Sequence, residues 1–198
     1  DDERVKLLNQ ANIPFVTFGR TLLAKQHPYF DIDNKDAAYQ GTCEMIRLGY
    51  QRITLIEANS DYTFVSQRVA GYKQALREAD IQFDSALIKH LDQCAPQAYA
   101  AVDSLLSVHV DAFVCANELL FMGARAGLRN ALGDQCDRFG FSLRSGTNLC
   151  AYLNSKISTS FYSRVDAGWN LADIMLQQIA GAPVSESQAI VKTALRNF

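Results

Sequence analysis

The chain has 198 residues, 48% hydrophobic and 20% charged, a balance that supports a substantial buried core in one large or two small globular units. Its 19 basic and 21 acidic residues leave a formal net charge of -2, which gives no support to a nucleic-acid-binding surface within these residues. The start, DDERVKLL, carries no secretory signal, and no apolar run approaches membrane-spanning length. Cytoplasm is the default location, although a mature periplasmic protein would also lack a signal.

The segment 3–11, ERVKLLNQA, reads as a helix end, and IPFVTFG (13–19) as a buried strand. YFDIDN (29–34) alternates like a short strand. A helix from Lys35 to Leu48 closes at Gly49. RITLIEA (52–58) is a strand, and a polar loop leads to a helix from about Ser66 to Ala79. SALIKHL (85–91) is a further strand, QAYAAVDSLLS (97–107) a helix, VDAFVCA (110–116) a strand and ELLFMGARAGLRNAL (118–132) a helix. A short strand is expected at Arg138–Phe141, then loop and short helix over 145–154. ISTSFY is extended, VDAGWNLADIMLQQIAG (165–181) helical, and IVKTALRNF (190–198) one last strand.

Strands alternating with helices of this length predict an α/β fold with a mostly parallel sheet. Ligands in such folds sit beyond the carboxyl ends of the strands. The loops to examine are therefore 19–28, 58–68, 116–120, 141–149 and 159–165. The chain opens inside a helical pattern with no preceding strand, and its last strand lies far from its first, so these residues are expected to be part of a longer protein.

Arg68 stands at a helix mouth after a strand, where a guanidinium fork suits hydroxyls, a carboxylate or a phosphate. Pairing with Glu57 or Asp61 is the structural alternative. Arg68→Ala is expected to leave folding nearly intact and weaken ligand binding. Asn117 can donate and accept, as a sugar hydroxyl requires, and is also a good N-cap. Tyr62, Phe64 and Tyr162 fall in expected loops and offer aromatic faces for stacking; Arg20 and Arg164 border similar loops. Asp31 and Asp33 could imitate a carboxylate dyad, but Asp33-Asn34 before a helix reads better as a cap and a backbone-securing turn. No GxSxG, P-loop, HExxH or GxGxxG following a strand occurs, so an enzyme is not expected. Cys43, Cys94, Cys115, Cys136 and Cys150 are odd in number with no CxxC, and the three histidines are scattered; neither a disulfide framework, a metal site nor a cofactor is expected.

IPFVTFGR, YFDIDNKDAAYQGTCEMIRLGYQRITLIEA, QRVAGYKQALREADI and VDAFVCANELLFMGARAGLRNAL, in this order, resemble the LacI/GalR family of bacterial transcription repressors, and within it the effector-binding part. The resemblance implies a two-subdomain, periplasmic-binding-protein-like α/β fold with parallel sheets and effector in the cleft between subdomains. It assigns 1–32 and 163–181 to a partial N-terminal subdomain and 33–162 and 182–198 to the C-terminal one, with crossings near 30–34, 158–164 and 182–190. It implies that a helix-turn-helix, a hinge helix and the first strands lie outside these residues. Arg68 matches the family's effector-binding arginine before "GY", Asn117 the Asn of its "AND", and Arg20 its "GR". Ser142 replaces the Asp that usually follows "GF", and the loop 133–138 is short. The implied protein is the effector-binding and dimerisation region of a repressor that senses a mono- or disaccharide as a homodimer, binds operator DNA through the missing head and does not enter a membrane. The alternative is a periplasmic sugar-binding component of an importer.

Overall fold

The computed structural model describes residues 2–153 and 156–198; Asp1, Asn154 and Ser155, at the ends of the expected segments 1–32 and 145–154, lie outside it. In chain order the elements are α1 (Glu3–Gln10), β1 (Thr17–Phe18), β2 (Tyr29–Ile32), α2 (Asn34–Arg47), β3 (Ile53–Ala58), α3 (Thr63–Glu78), β4 (Ile88–Leu91), α4 (Ala95–Ser107), β5 (Ala112–Cys115), α5 (Glu118–Leu132), β6 (Gly140–Ser145), β7 (Ser158–Phe161), α6 (Arg164–Ile179), β8 (Gln188–Val191) and β9 (Ala194–Asn197). The strands form two sheets. The small one has the order β1-β2-β8 and the large one β4-β3-β5-β6-β7-β9. Every pair is parallel except β7 with β9.

Local signals set the helix ends. Asp33 caps α2, accepting from the Asp36 N–H at 3.0 Å, and Ser163 caps α6 through the N–H groups of Val165 and Asp166. Gly49 follows α2 at φ +94°, a left-handed conformation that glycine adopts without a Cβ penalty. On one face of the large sheet α2 and α3 bury Met45, Tyr72 and Leu76 against Ile53, Leu55 and Val114. On the other, α4 and α5 bury Leu105, Phe121 and Leu128 against Phe113 and Phe141. The small sheet is covered by α6, where Ala167 and Ile174 pack on Phe30.

The chain passes between the sheets three times: after β2, between β7 and α6, and between β8 and β9. The last passage lies at 192–193, beyond the expected 182–190. The segment expected as one closing strand is two: β8 pairs with β2, and β9 turns antiparallel onto β7. The assignment of 182–198 wholly to the C-terminal subdomain therefore does not match the pairing of β8. IPFVTFG is strand only at Thr17–Phe18, which pair with Tyr29 and Phe30 of β2. The segment 141–149, expected as a loop, is strand through Ser145: β5 and β7 flank β6, and their hydrogen bonds hold the polar run SLRS extended in the sheet interior.

Candidate functional site

The carboxyl ends of β3, β5 and β6 open onto a narrow cavity under α2 and α3. Arg68, Ser142 and Arg144 line it with Ala37, Ala38 and Ala116. Arg68 lies in the second turn of α3 with its side chain 12% exposed. Its Nη1 donates to Glu57 Oε1 at 3.1 Å and its Nη2 to Asn34 Oδ1 at 2.9 Å. Its Cζ lies 4.9 Å from the centroid of the Phe64 ring. Glu57 is fully buried at the end of β3, and Oε1 also accepts from the Ala58 N–H at 2.8 Å. Burial pushes the Glu57 carboxyl above its ordinary value, against the pull of the Arg68 guanidinium. Three buried polar atoms around this cavity find no hydrogen-bond partner among the described residues: Glu57 Oε2, Arg68 Nε and Ser142 Oγ. The cavity is about 10 Å³, so in this arrangement one water, or a polar ligand group that enters as the cavity widens, completes these unsatisfied groups.

The network continues into the small sheet. Asn34 donates to Asp31 Oδ1 at 3.2 Å, and Arg20 Nε donates to Asp31 Oδ2 at 2.7 Å. Arg20 Nη2 reaches Gln67 Oε1 on α3 at 3.1 Å, and Thr63 donates to the Arg20 carbonyl at 2.5 Å. Gln67, Arg20, Asp31, Asn34, Arg68 and Glu57 thus form one chain of charged and amide groups joining the two sheets. Asp31 is an ion-paired strut of that chain and Asp33 a helix cap, so the two carboxylates make no dyad.

The remaining expected residues divide. Tyr62 and Phe64 pack with ring centroids 5.4 Å apart and planes tilted by 34°, and with Phe15, Phe18 and Arg20 they wall an open cleft of about 780 Å³ between α1, β1 and the start of α3. Tyr162 turns away, packing 5.8 Å from Phe30 and accepting from Asn170 Nδ2 at 3.2 Å in the core of the small sheet. Asn117 caps α5 through the Leu120 N–H at 2.9 Å and donates its amide to Gln93 at 2.8 Å, so both ends of its side chain are engaged. Arg164 opens α6 with Nη2 3.7 Å from Glu118 Oε2.

Glu118 does more than complement the helix dipole. Its Oε1 accepts from Ser145 Oγ at 3.0 Å, the Gly146 N–H at 3.1 Å and Thr147 Oγ1 at 3.0 Å. Burial alone would raise its carboxyl; these donors outweigh burial and hold it below the ordinary range. Glu57 is one of the two Arg68 partners that the structural alternative named; Arg144, Gln67, the bridging role of Asn34 and this role of Glu118 escaped the sequence reading. Arg144 was legible in principle: it lies two residues beyond Ser142 on a strand, hence on the same face.

Comparison with known proteins follows this geometry. Residues 1–190 match the family described as periplasmic binding proteins and sugar binding domain of LacI family. The chain is similar to the HTH-type transcriptional regulator AglR of Rhizobium meliloti (strain 1021), with 31% identity over 134 residues, 66% of this chain and 38% of that protein. It is similar to the maltose regulon regulatory protein MalI of Escherichia coli (strain K12), with 27% identity, covering 98% of this chain and 60% of that protein. Among solved structures, a transcriptional regulator CelR–cellobiose complex superposes with a TM-score of 0.88 at 25% identity, over 99% of this chain and 61% of that one. The chain thus spans 38% to 60% of the length of these two curated relatives. A family match over almost every residue, on two mostly parallel sheets joined by three crossings, settles the relationship: the chain belongs to the LacI/GalR family, as its periplasmic-binding-protein-like effector-binding domain.

Proposed function

We propose that this chain is the effector-binding and dimerisation region of a DNA-binding transcriptional repressor that senses a sugar in the cytoplasm. The observation that carries the reading is the polar chain from Gln67 through Arg20, Asp31, Asn34 and Arg68 to Glu57, which links the two sheets beside a cavity with unsatisfied polar atoms. The two sheets are taken as the cores of two subdomains, so a ligand bound between them biases their relation. In a homodimer that bias moves paired DNA-binding heads, provided the ligand prefers one state over the other. Tight binding without that preference shifts nothing. The relatives support the regulator over an enzyme or an importer component, since AglR and MalI are regulators and CelR is described with cellobiose.

Arg68, Arg20 and Ser142 are the proposed ligand contacts, with Tyr62 and Phe64 as stacking surfaces and Arg164 at the rim. Asn117 reaches a ligand only by giving up Gln93, and Tyr162 acts through the packing of the small sheet. The test is thermal unfolding of the full-length protein against mono- and disaccharides, sugar phosphates and purines, because a ligand that binds only the folded state raises its midpoint. A shift with sugars, together with sugar-dependent release or capture of operator DNA, is expected. Stabilisation by purines alone would sink the sugar assignment, and a monomer that ignores DNA would favour the importer component.

A further inference from the structure

Arg144 is half-buried near the end of β6, on the strand face it shares with Ser142, and lines the same cavity as Arg68. Among the described residues its guanidinium makes no hydrogen bond and no ion pair. Its neighbours are two more arginines. A Cβ built on Gly146 would stand 3.0 Å from Arg144 Nη1, 2.7 Å from Arg164 Cγ and 3.1 Å from Arg164 Nε. Any other residue there would push into both side chains, so the glycine lets two guanidinium-bearing chains converge. The nearby carboxylates are already committed. Glu57 holds Arg68, and Glu118 Oε1 holds three donors while its other oxygen faces Arg164. Three arginines therefore meet two carboxylates, and the unmatched charge is Arg144.

A partly buried cation without a partner is costly to keep. The local field shows that cost: burial first, then Arg68 and Arg164, bring Arg144 down to about 10 against the opposing pull of Glu118. A neutral hydroxyl could accept from the guanidinium but would leave its charge unmatched. A phosphate or carboxylate matches both the charge and the planar fork of donors.

We propose that Arg144, supported by Arg68 and Arg164, forms an oxyanion subsite at the carboxyl end of β6, and that the effector is an anionic sugar derivative carrying a phosphate or carboxylate group. The sugar portion of this statement rests on the proposed function above; the anion portion does not.

The experiment uses the full-length protein and inorganic phosphate, acetate, glucose 6-phosphate, glucuronate, and neutral glucose, maltose and cellobiose. Binding is read by calorimetry and thermal midpoint against chloride at matched ionic strength. Phosphate or acetate, whichever matches the true group, is expected to stabilise the wild type. Arg144→Met should weaken that binding by about tenfold or more, and Arg144→Lys should restore part of it. The phosphate and acetate arms, with their sugar counterparts, separate a sugar phosphate from a sugar acid. Anions that stabilise the wild type no better than chloride, or equally in Arg144→Met, overturn the subsite. Neutral sugars judge the other reading: if they bind while anions fail, the effector is an uncharged sugar and the proposed function stands. If anions bind through Arg144 and no sugar of either kind does, the subsite stands and the sugar assignment falls.

Discussion

Replacing Arg68 by alanine removes the guanidinium that faces Glu57 across 3.1 Å. Glu57 is 0% exposed, and among the described residues its Oε2 has no partner and its Oε1 would retain only the Ala58 N–H. Asn34 Oδ1 would also lose its donor. Breaking a buried pair by removing one partner costs about 3–5 kcal/mol, because the remaining charge stays desolvated. The expected result in urea denaturation at pH 8 is a loss of that size with the dependence on denaturant unchanged. The pair itself contributes far less than this: Glu57→Leu combined with Arg68→Met should come within about 1 kcal/mol of the wild type. The pH dependence has a definite sign. Burial already raises the Glu57 carboxyl above its unfolded value, and losing Arg68 raises it further. The folded state then binds the proton more tightly than the unfolded one. Stability is accordingly gained as pH falls through the raised folded value toward the ordinary carboxylate range, and the Arg68→Ala deficit shrinks on acidification. A deficit below 1 kcal/mol at pH 8, or one that grows on acidification, would refute this account. It replaces the expectation that Arg68→Ala leaves the fold nearly intact, which a view of Arg68 as a cleft residue alone implies.

Three further substitutions probe the same packing. Arg144→Met should raise the stability of the ligand-free protein by about 1–3 kcal/mol, since an unmatched, partly buried charge is replaced by an apolar chain of similar length; a lower thermal midpoint would show that Arg144 has a stabilising partner after all. Gly41→Ala should cost about 1–3 kcal/mol, because its Cβ would come 2.5 Å from Ser142 Oγ, and Ser142→Ala should relieve part of that cost in the double variant. Additive costs in a double-mutant cycle would argue against that contact. Gly71→Ala should cost at least about 2 kcal/mol with no such relief, as its Cβ would stand 2.0 Å from the Lys35 carbonyl oxygen, which belongs to the backbone of α2. A calorimetric midpoint within a degree of the wild type would mean that α2 and α3 can separate freely.

Elements with a local cause were legible in the order of residues alone. Asp33 before α2, Asn117 before α5 and the glycines that close the helices are capping chemistry, and the apolar runs of β3 and β5 read as buried parallel strands because both their faces are covered. The ordered motifs DN at Asp33–Asn34, LGYQRI at 48–53 and RVAGY at 68–72 also carried the family relationship. Contacts between segments distant along the chain set the rest. SLRS looks like a loop until β5 and β7 supply hydrogen bonds on both sides. The closing segment divides between two sheets because β2 and β7 each present an edge to it, a choice that no pattern within nine residues can encode. The site behaves in the same way. Each arginine is visible in the sequence, but whether it holds a carboxylate or awaits one depends on which side chains converge from strands and helices far apart along the chain. Arg68 meets Glu57, Arg20 meets Asp31, and Arg144 meets only other arginines and a carboxylate already engaged, because long-range packing sets the distances over which charge is felt.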